Sequence, residues 1–199
     1  MLGLFGAVAA GGWGLAWALQ DPGRLAVAST HEDAARAQQK IFGLVTGTAR
    51  ETVVFTEAEV NAILARNVDP RDLPVDEASV LLRADNMIEI AGRVSVRRFL
   101  AQSSLRPVAD VLPASWLARR VVLRFIVQAE FEPLPRRHLR LDVREVTVGQ
   151  QRLPTFTLSL LIEPERLRSV RIALPDGVAG VRIESGRALI QPTSSPGRT

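Results

Sequence analysis

Few side chains in this sequence combine the type and spacing that covalent or metal chemistry requires. Histidine occurs only twice. His31 stands beside Glu32 and Asp33 in the first turn of a capped helix, and His138 follows Arg136-Arg137 in a hairpin turn; neither has a partner at metal-ligand spacing. Cysteine is absent, which removes thiol nucleophiles, disulfides and an acylated lipoprotein cysteine together. There is no Gly-x-Ser-x-Gly elbow and no Ser-x-x-Lys pair. Asp69, Asp72, Asp76 and Glu77 gather in or beside a proline-rich loop, where carboxylates are ordinarily solvated and a glycosidase or metal pair is disfavoured. The chain is therefore read as non-catalytic, with no metal and no cofactor.

What the sequence has in surplus is apolar surface, at 47% hydrophobic residues with few aromatics. Of the 25 basic residues Lys40 is the only lysine. The arginine doublets Arg97-Arg98, Arg119-Arg120 and Arg136-Arg137 are separated and lack interleaved aromatic residues for base stacking, so nucleic-acid binding is not expected. Contact with anionic lipid headgroups is the better use for them.

Met1 to Leu19 contains no charged side chain and carries Trp13 and Trp17 near its end. A run of this length reaches the ~18 to 20 residues that cross a bilayer as a helix. Ala16-Trp17-Ala18 and Ala26-Val27-Ala28 both have the small-x-small form of a signal-peptidase site, and no basic n-region precedes the run. Residues 1–20 are thus expected to be a transmembrane anchor or a signal peptide, followed by a linker at 21–28, one domain at 29–192 and a solvated tail at 193–199. That organisation puts the domain in the cell envelope, either anchored in the inner membrane and facing outward or secreted to the periplasm.

Within the domain, Ser29 with Glu32 forms a capping-box signature, and Ala34, Ala37, Ile41 and Leu44 recur at helical spacing, which predicts a helix over 30–45 ended by Gly47. Glu51 to Phe55 is a strand candidate. Thr56 and Glu59 form a second capping box that opens a helix to about Arg66, with Val60, Ile63 and Leu64 as its buried stripe. Asn67 to Pro74 reads as a loop.

The period then changes from 3.6 to 2. Ser79 to Arg83 leads through an Asp85-Asn86 turn to a strand with Ile88, Ile90, Gly92, Val94 and Val96 on one face and Glu89, Arg93, Ser95 and Arg97 on the other. Val121, Leu123, Phe125, Val127, Ala129 and Phe131 repeat the pattern, and Leu139, Leu141 and Val143 answer across Pro133-Leu134-Pro135. Near Glu145 the apolar set slips to Val146 and Val148, which predicts a bulge. Phe99 to Leu117 is partly helical, amphipathic and broken by Pro107 and Pro113; it reads equally as a lid on the sheet or as a membrane-touching element. Thr155 to Ile162 is ambiguous between strand and helix. A hairpin around Ser185-Gly186, joining Val181–Ile183 to Ala188–Ile190, closes the domain.

The order of these segments carries a resemblance. Phe55 to Leu64, Ile88 to Val94, Leu139 to Gly149 with Leu153-Pro154, and Leu174 to Val178 leading to Val181 through Ile190 resemble bacterial envelope proteins related to the tubular lipid-binding (TULIP-like) superfamily. The resemblance implies an α+β fold in which a long curved antiparallel sheet wraps around one or two helices, with acyl chains in the apolar groove between them. It also favours helix at 155–162.

The leading expectation is a lipid-binding or lipid-carrier protein. Its ligand, a membrane lipid or other long aliphatic molecule, would lie along Ile90, Val94 and Val96 of one strand and Leu123, Phe125 and Val127 of the other, with Phe99, Leu100, Trp116 and Leu117 at the mouth and a membrane surface nearby. The rival expectation is an anchored envelope scaffold with a self-packed core that recruits a protein partner through its sheet edge or amphipathic segment.

Overall fold

The computed structural model describes residues 29–67, 76–101, 110, 112–133, 137–153 and 170–193. The expected anchor or signal peptide and linker at 1–28, the expected tail beyond Thr193, and the strand-or-helix segment at 155–162 lie outside the described residues. Among the described residues no helix is long and apolar enough to cross a membrane.

The fold is α+β, with a long antiparallel sheet. Helix α1 (His31–Val45) packs through Ala34, Ala37 and Leu44, two of them alanines that let its neighbours approach closely. Its cap is Thr30 rather than Ser29. The Thr30 hydroxyl accepts from the Asp33 N–H at 3.2 Å, and the Asp33 carboxylate accepts from the Thr30 N–H at 2.8 Å. Ile41 falls at the margin of the buried stripe, and together with Phe42 and Val45 it is exposed. Gly47 takes a positive φ of 68° just past the helix, the conformation that favours glycine.

Strand β1 (Val53–Thr56) runs straight into α2 (Glu57–Asn67). The expected capping box is present: the Glu59 N–H donates to the Thr56 hydroxyl at 3.3 Å, and the Thr56 N–H donates to Glu59 Oε2 at 2.8 Å. Two further side chains of α2 dock it on the edge of the main sheet. Asn61 donates from Nδ2 to the Val80 carbonyl and accepts at Oδ1 from the Val80 N–H, both at 2.7 Å, and Glu57 accepts from the Leu82 N–H at 2.8 Å. The amide of Asn61 thus substitutes for a neighbouring strand and blunts an edge that would otherwise offer free backbone groups.

The main sheet contains β2 (Asp76–Arg83), β3 (Met87–Ser95), β4 (Arg120–Glu132) and β5 (His138–Val148) in that order, all antiparallel. The outer side of β5 is shared by β6 (Gln151–Arg152) and β7 (Val170–Ala173). At 13 residues β4 spans ~43 Å at 3.3 Å per residue. The register confirms the bulge: Ile126 opposes Glu145 while Val127 opposes Val143, so Arg144 is the extra residue on β5.

Among the described residues between β3 and β4 lie the short helices α3 (Val96–Ala101) and α4 (Ala114–Leu117). Val96 therefore opens a helix instead of ending the strand. The ladder runs out at the Ser95–Arg120 pair, and the Val96 N–H turns away to the Arg119 carbonyl at 3.0 Å. His138 begins β5 opposite Glu132 rather than lying in a turn.

The second sheet has the order β1-β9-β8, with β8 (Val178–Glu184) and β9 (Arg187–Pro192) forming the expected hairpin around Ser185-Gly186. Asn86 joins the two sheets. It sits with Asp85 in the β2–β3 turn at positive φ, and it accepts from the Ile183 N–H at 2.8 Å through its side chain.

Candidate ligand-binding face

Antiparallel register places opposed residues on one side of a sheet, so the pairings define the faces directly. Val80 pairs with Ile90, Ile90 with Phe125 and Phe125 with Val146. Further along, Ala129 pairs with Leu141 and Leu141 with Val170. Every residue on this face, from Val80 and Leu82 across to Val170 and Ile172, is uncharged. It is one apolar surface five strands wide. Ile90, Val94, Leu123, Phe125 and Val127 share it, as the alternation predicts.

The face divides into two packed regions. Around Val80, Leu82 and Ala129 it is covered by Val60 and Leu64 of α2 and by Ile183 and Ala188 of the β8–β9 hairpin. The second region centres on Val94, Val121 and Leu123, with Phe125 and Val148 beside them; among the described residues Val96 is its neighbour from outside the sheet. Val94, Leu123 and Val127 are sealed, with exposures of 0%, 4% and 4%. Ile90 and Phe125 are half-buried.

The proposed mouth is less open than expected. Leu100 is buried, and Trp116 and Leu117 are half-buried in α4, where the Arg119 guanidinium stands 6.0 Å from the Trp116 ring centre. Phe99 belongs to α3, but its side chain lies outside the described residues. The most open part of the apolar face is at its other margin. Val170 and Ile172 of β7 are 48% and 44% exposed, and they continue inward through the half-buried Leu139, Leu141 and Phe131. The alternation in β7 covers four residues, too few to register as a strand signal.

The opposite face, on which the alternation places Glu89, is not simply solvated. Glu89 is 2% exposed, and Ser79, Ala91 and Val122 beside it are buried too. Its carboxylate is held by Arg83 and lies 2.6 Å from Arg124 Nε, an ion-pair contact without hydrogen-bond alignment. Two guanidiniums compensate the charge and allow it to sit under cover. Toward the far end of β4 and β5, Arg140 gathers Glu130, Glu132 and Asp142. Burial pulls the Arg140 guanidinium down in pKa, but Asp142 and Glu130 outweigh it and hold it above its ordinary value.

Asp76 and Glu77 fall on β2, where Glu77 pairs with Arg93 at 2.8 Å; Asp69 and Asp72 lie outside the described residues. Among the described residues no three His, Asp or Glu side chains gather as a metal site. No family model matches the chain, nor does any curated protein or solved structure. Any functional reading rests on this chain's own geometry.

Proposed function

We propose that this is a non-catalytic, membrane-associated protein of the cell envelope that holds an aliphatic chain, such as a lipid acyl group, against the apolar face of its long sheet. The observation that carries the reading is the uncharged face itself, which crosses β2, β3, β4, β5 and β7 and ends in the exposed Val170 and Ile172. A core that needed only to pack on α2 and the β8–β9 hairpin would end where that cover ends, and a soluble edge strand would not normally carry apolar side chains outward on that side. The ligand would reach the face from the β7 margin, and the tubular arrangement, with the sheet wrapped around its helices, belongs to the same reading. The uncharged run Met1–Leu19 supports tethering or export.

A second reading has its own support. Val94, Leu123 and Val127 are closed by the chain itself, as in a scaffold with a self-packed core that offers the β7 edge to a protein partner. Native mass spectrometry of the full-length chain released from mild detergent, followed by organic extraction, separates the two. A co-purifying aliphatic molecule, displaced by a fluorescent fatty-acyl probe, supports the carrier. A chain that carries no lipid and takes up no probe is the scaffold.

A further inference from the structure

On the side of the main sheet away from the apolar face, a cavity of about 550 Å³ opens between the β2–β3 turn, the middle of β4 and β5, β6, and the β8–β9 turn. Its volume is within the range of small-molecule sites. Three arginines line it: Arg83 from the end of β2, Arg144 from the β5 bulge and Arg152 from β6. Ala84, Met87 and Ile126 give it an apolar lining, and Ser185 and the acidic Glu145 complete the wall.

We infer that this cavity is a binding site for a phosphate-bearing ligand, a site independent of the apolar face. The charges around it do not cancel. Arg152 pairs with Glu145 at 2.7 Å, and Glu89 answers Arg83 and Arg124 together. Arg144 is held by a neutral group, the Gln128 side-chain oxygen, which accepts from its Nε at 3.0 Å and its Nη2 at 2.6 Å. The lining thus holds three guanidiniums against the one carboxylate of Glu145, while Glu89 behind it is shared between Arg83 and Arg124, and the uncompensated charge matches a doubly charged oxyanion. Guanidiniums brought from three separate strands can approach a tetrahedral phosphate from several directions, whereas a planar carboxylate is satisfied by one of them. Arg144 is itself the extra residue of the bulge, and its guanidinium is held by Gln128, so it is oriented before a ligand arrives. The apolar lining beside the guanidiniums suits a phosphoester with a hydrocarbon portion. Such a phosphate could come from a lipid headgroup or from a free soluble phosphate, and the recognition chemistry is the same.

The test is calorimetric titration of the full-length chain, in nonionic detergent and phosphate-free buffer, with inorganic phosphate and with dihexanoyl phosphatidic acid, a phosphomonoester. Binding of either is expected to weaken about tenfold or more in Arg144→Gln, the loss of one charge-assisted contact, with the melting temperature unchanged because Arg144 is exposed. The control is Arg50→Gln, which removes an exposed charge of the same sign outside the cavity and should bind as the parent does. If the short-chain lipid binds at least tenfold tighter than inorganic phosphate, the source is a headgroup; comparable binding indicates free phosphate. The inference is overturned if neither probe binds, if Arg144→Gln binds both undiminished, or if Arg50→Gln weakens binding as much as Arg144→Gln.

Discussion

The ammonium of Lys40 on α1 holds both carboxylate oxygens of Glu59 on α2, at 2.6 and 2.7 Å, in the seam between the two helices. It also donates to the Val54 carbonyl at 2.7 Å and stands 5.6 Å from the centre of the Phe55 ring. Glu59 is among the most enclosed side chains of the described residues, and it caps its own helix as well. A buried carboxylate stripped of its nearest cation is far less tolerable than a buried pair, and the remaining Arg36 Nε lies farther off, 3.7 Å from Glu59 Oε1. Lys40→Ala should therefore destabilise the chain by about 3 kcal/mol in urea unfolding, and adding Glu59→Gln should restore part of that loss. Equal and additive losses from the two substitutions would show that the pair does not act as a unit.

Asn61 offers a second test of how the helices are attached to the sheet. Its side chain satisfies both backbone groups of Val80, and its Nδ2 also donates to the Glu57 carbonyl at 2.8 Å. Asn61→Leu keeps the volume and leaves the Val80 N–H and C=O without these partners. The expected loss is about 2 to 3 kcal/mol, the penalty for unsatisfied buried groups. Hydrogen exchange should also become faster at the Val80 amide. A Val80 amide as protected as in the parent would mean that the helix does not seal this edge.

The α1 cap gives stability a dependence on pH. Hydrogen bonds from the Thr30 hydroxyl and backbone, reinforced by the Arg36 charge, outweigh burial and lower the Asp33 pKa below 3.8. A carboxyl with a depressed folded-state pKa contributes stability that is complete above its unfolded value and is lost as pH falls through the folded one. Asp33→Asn should therefore narrow its stability gap to the parent as pH drops from about 6 to about 2, the acid range in which such carboxylates titrate. Denaturant midpoints measured across that range give the gap directly. A constant gap would show that the carboxylate charge is not what the cap uses.

How much of this was legible depends on how far apart in sequence the interacting groups lie. Period-two alternation identified the apolar side of β3 and β4, because a strand in a one-sided environment repeats its demand every second residue. The slip near Glu145 betrayed the bulge for the same reason. Caps are local too, and the Thr56–Glu59 box is where the sequence puts it, whereas at α1 the expected Ser29–Glu32 box lies one residue early and the cap is Thr30 with Asp33, on the extended backbone of Thr30. Lys40 and Glu59, or Glu89 with Arg124, carry no such mark. Each looks like a surface charge until the fold brings its partner alongside. Val96 was misplaced because alternation continues past the point where β4 stops supplying ladder partners. The cavity arginines come from Arg83, Arg144 and Arg152, three positions with no shared spacing that only the sheet assembles.

The sealed and open parts of the apolar face should answer differently to the same insult. Val127 is 4% exposed, so Val127→Asp places an ionised group among side chains that cannot solvate it, a change worth several kcal/mol. That substitution should unfold the domain whether or not a ligand binds nearby, and the same holds for Val94. Neither position discriminates between carrier and scaffold. Ile172, 44% exposed at the β7 margin and opposite Leu139, does. Its charge can reach water, so Ile172→Asp should lower stability by about 0.5 kcal/mol or less, the usual range for a surface site. If an aliphatic ligand passes over this margin, the same variant should bind a fluorescent fatty-acyl probe at least tenfold more weakly than the parent. Unchanged probe affinity in a folded Ile172→Asp chain would remove the β7 margin from the ligand's path.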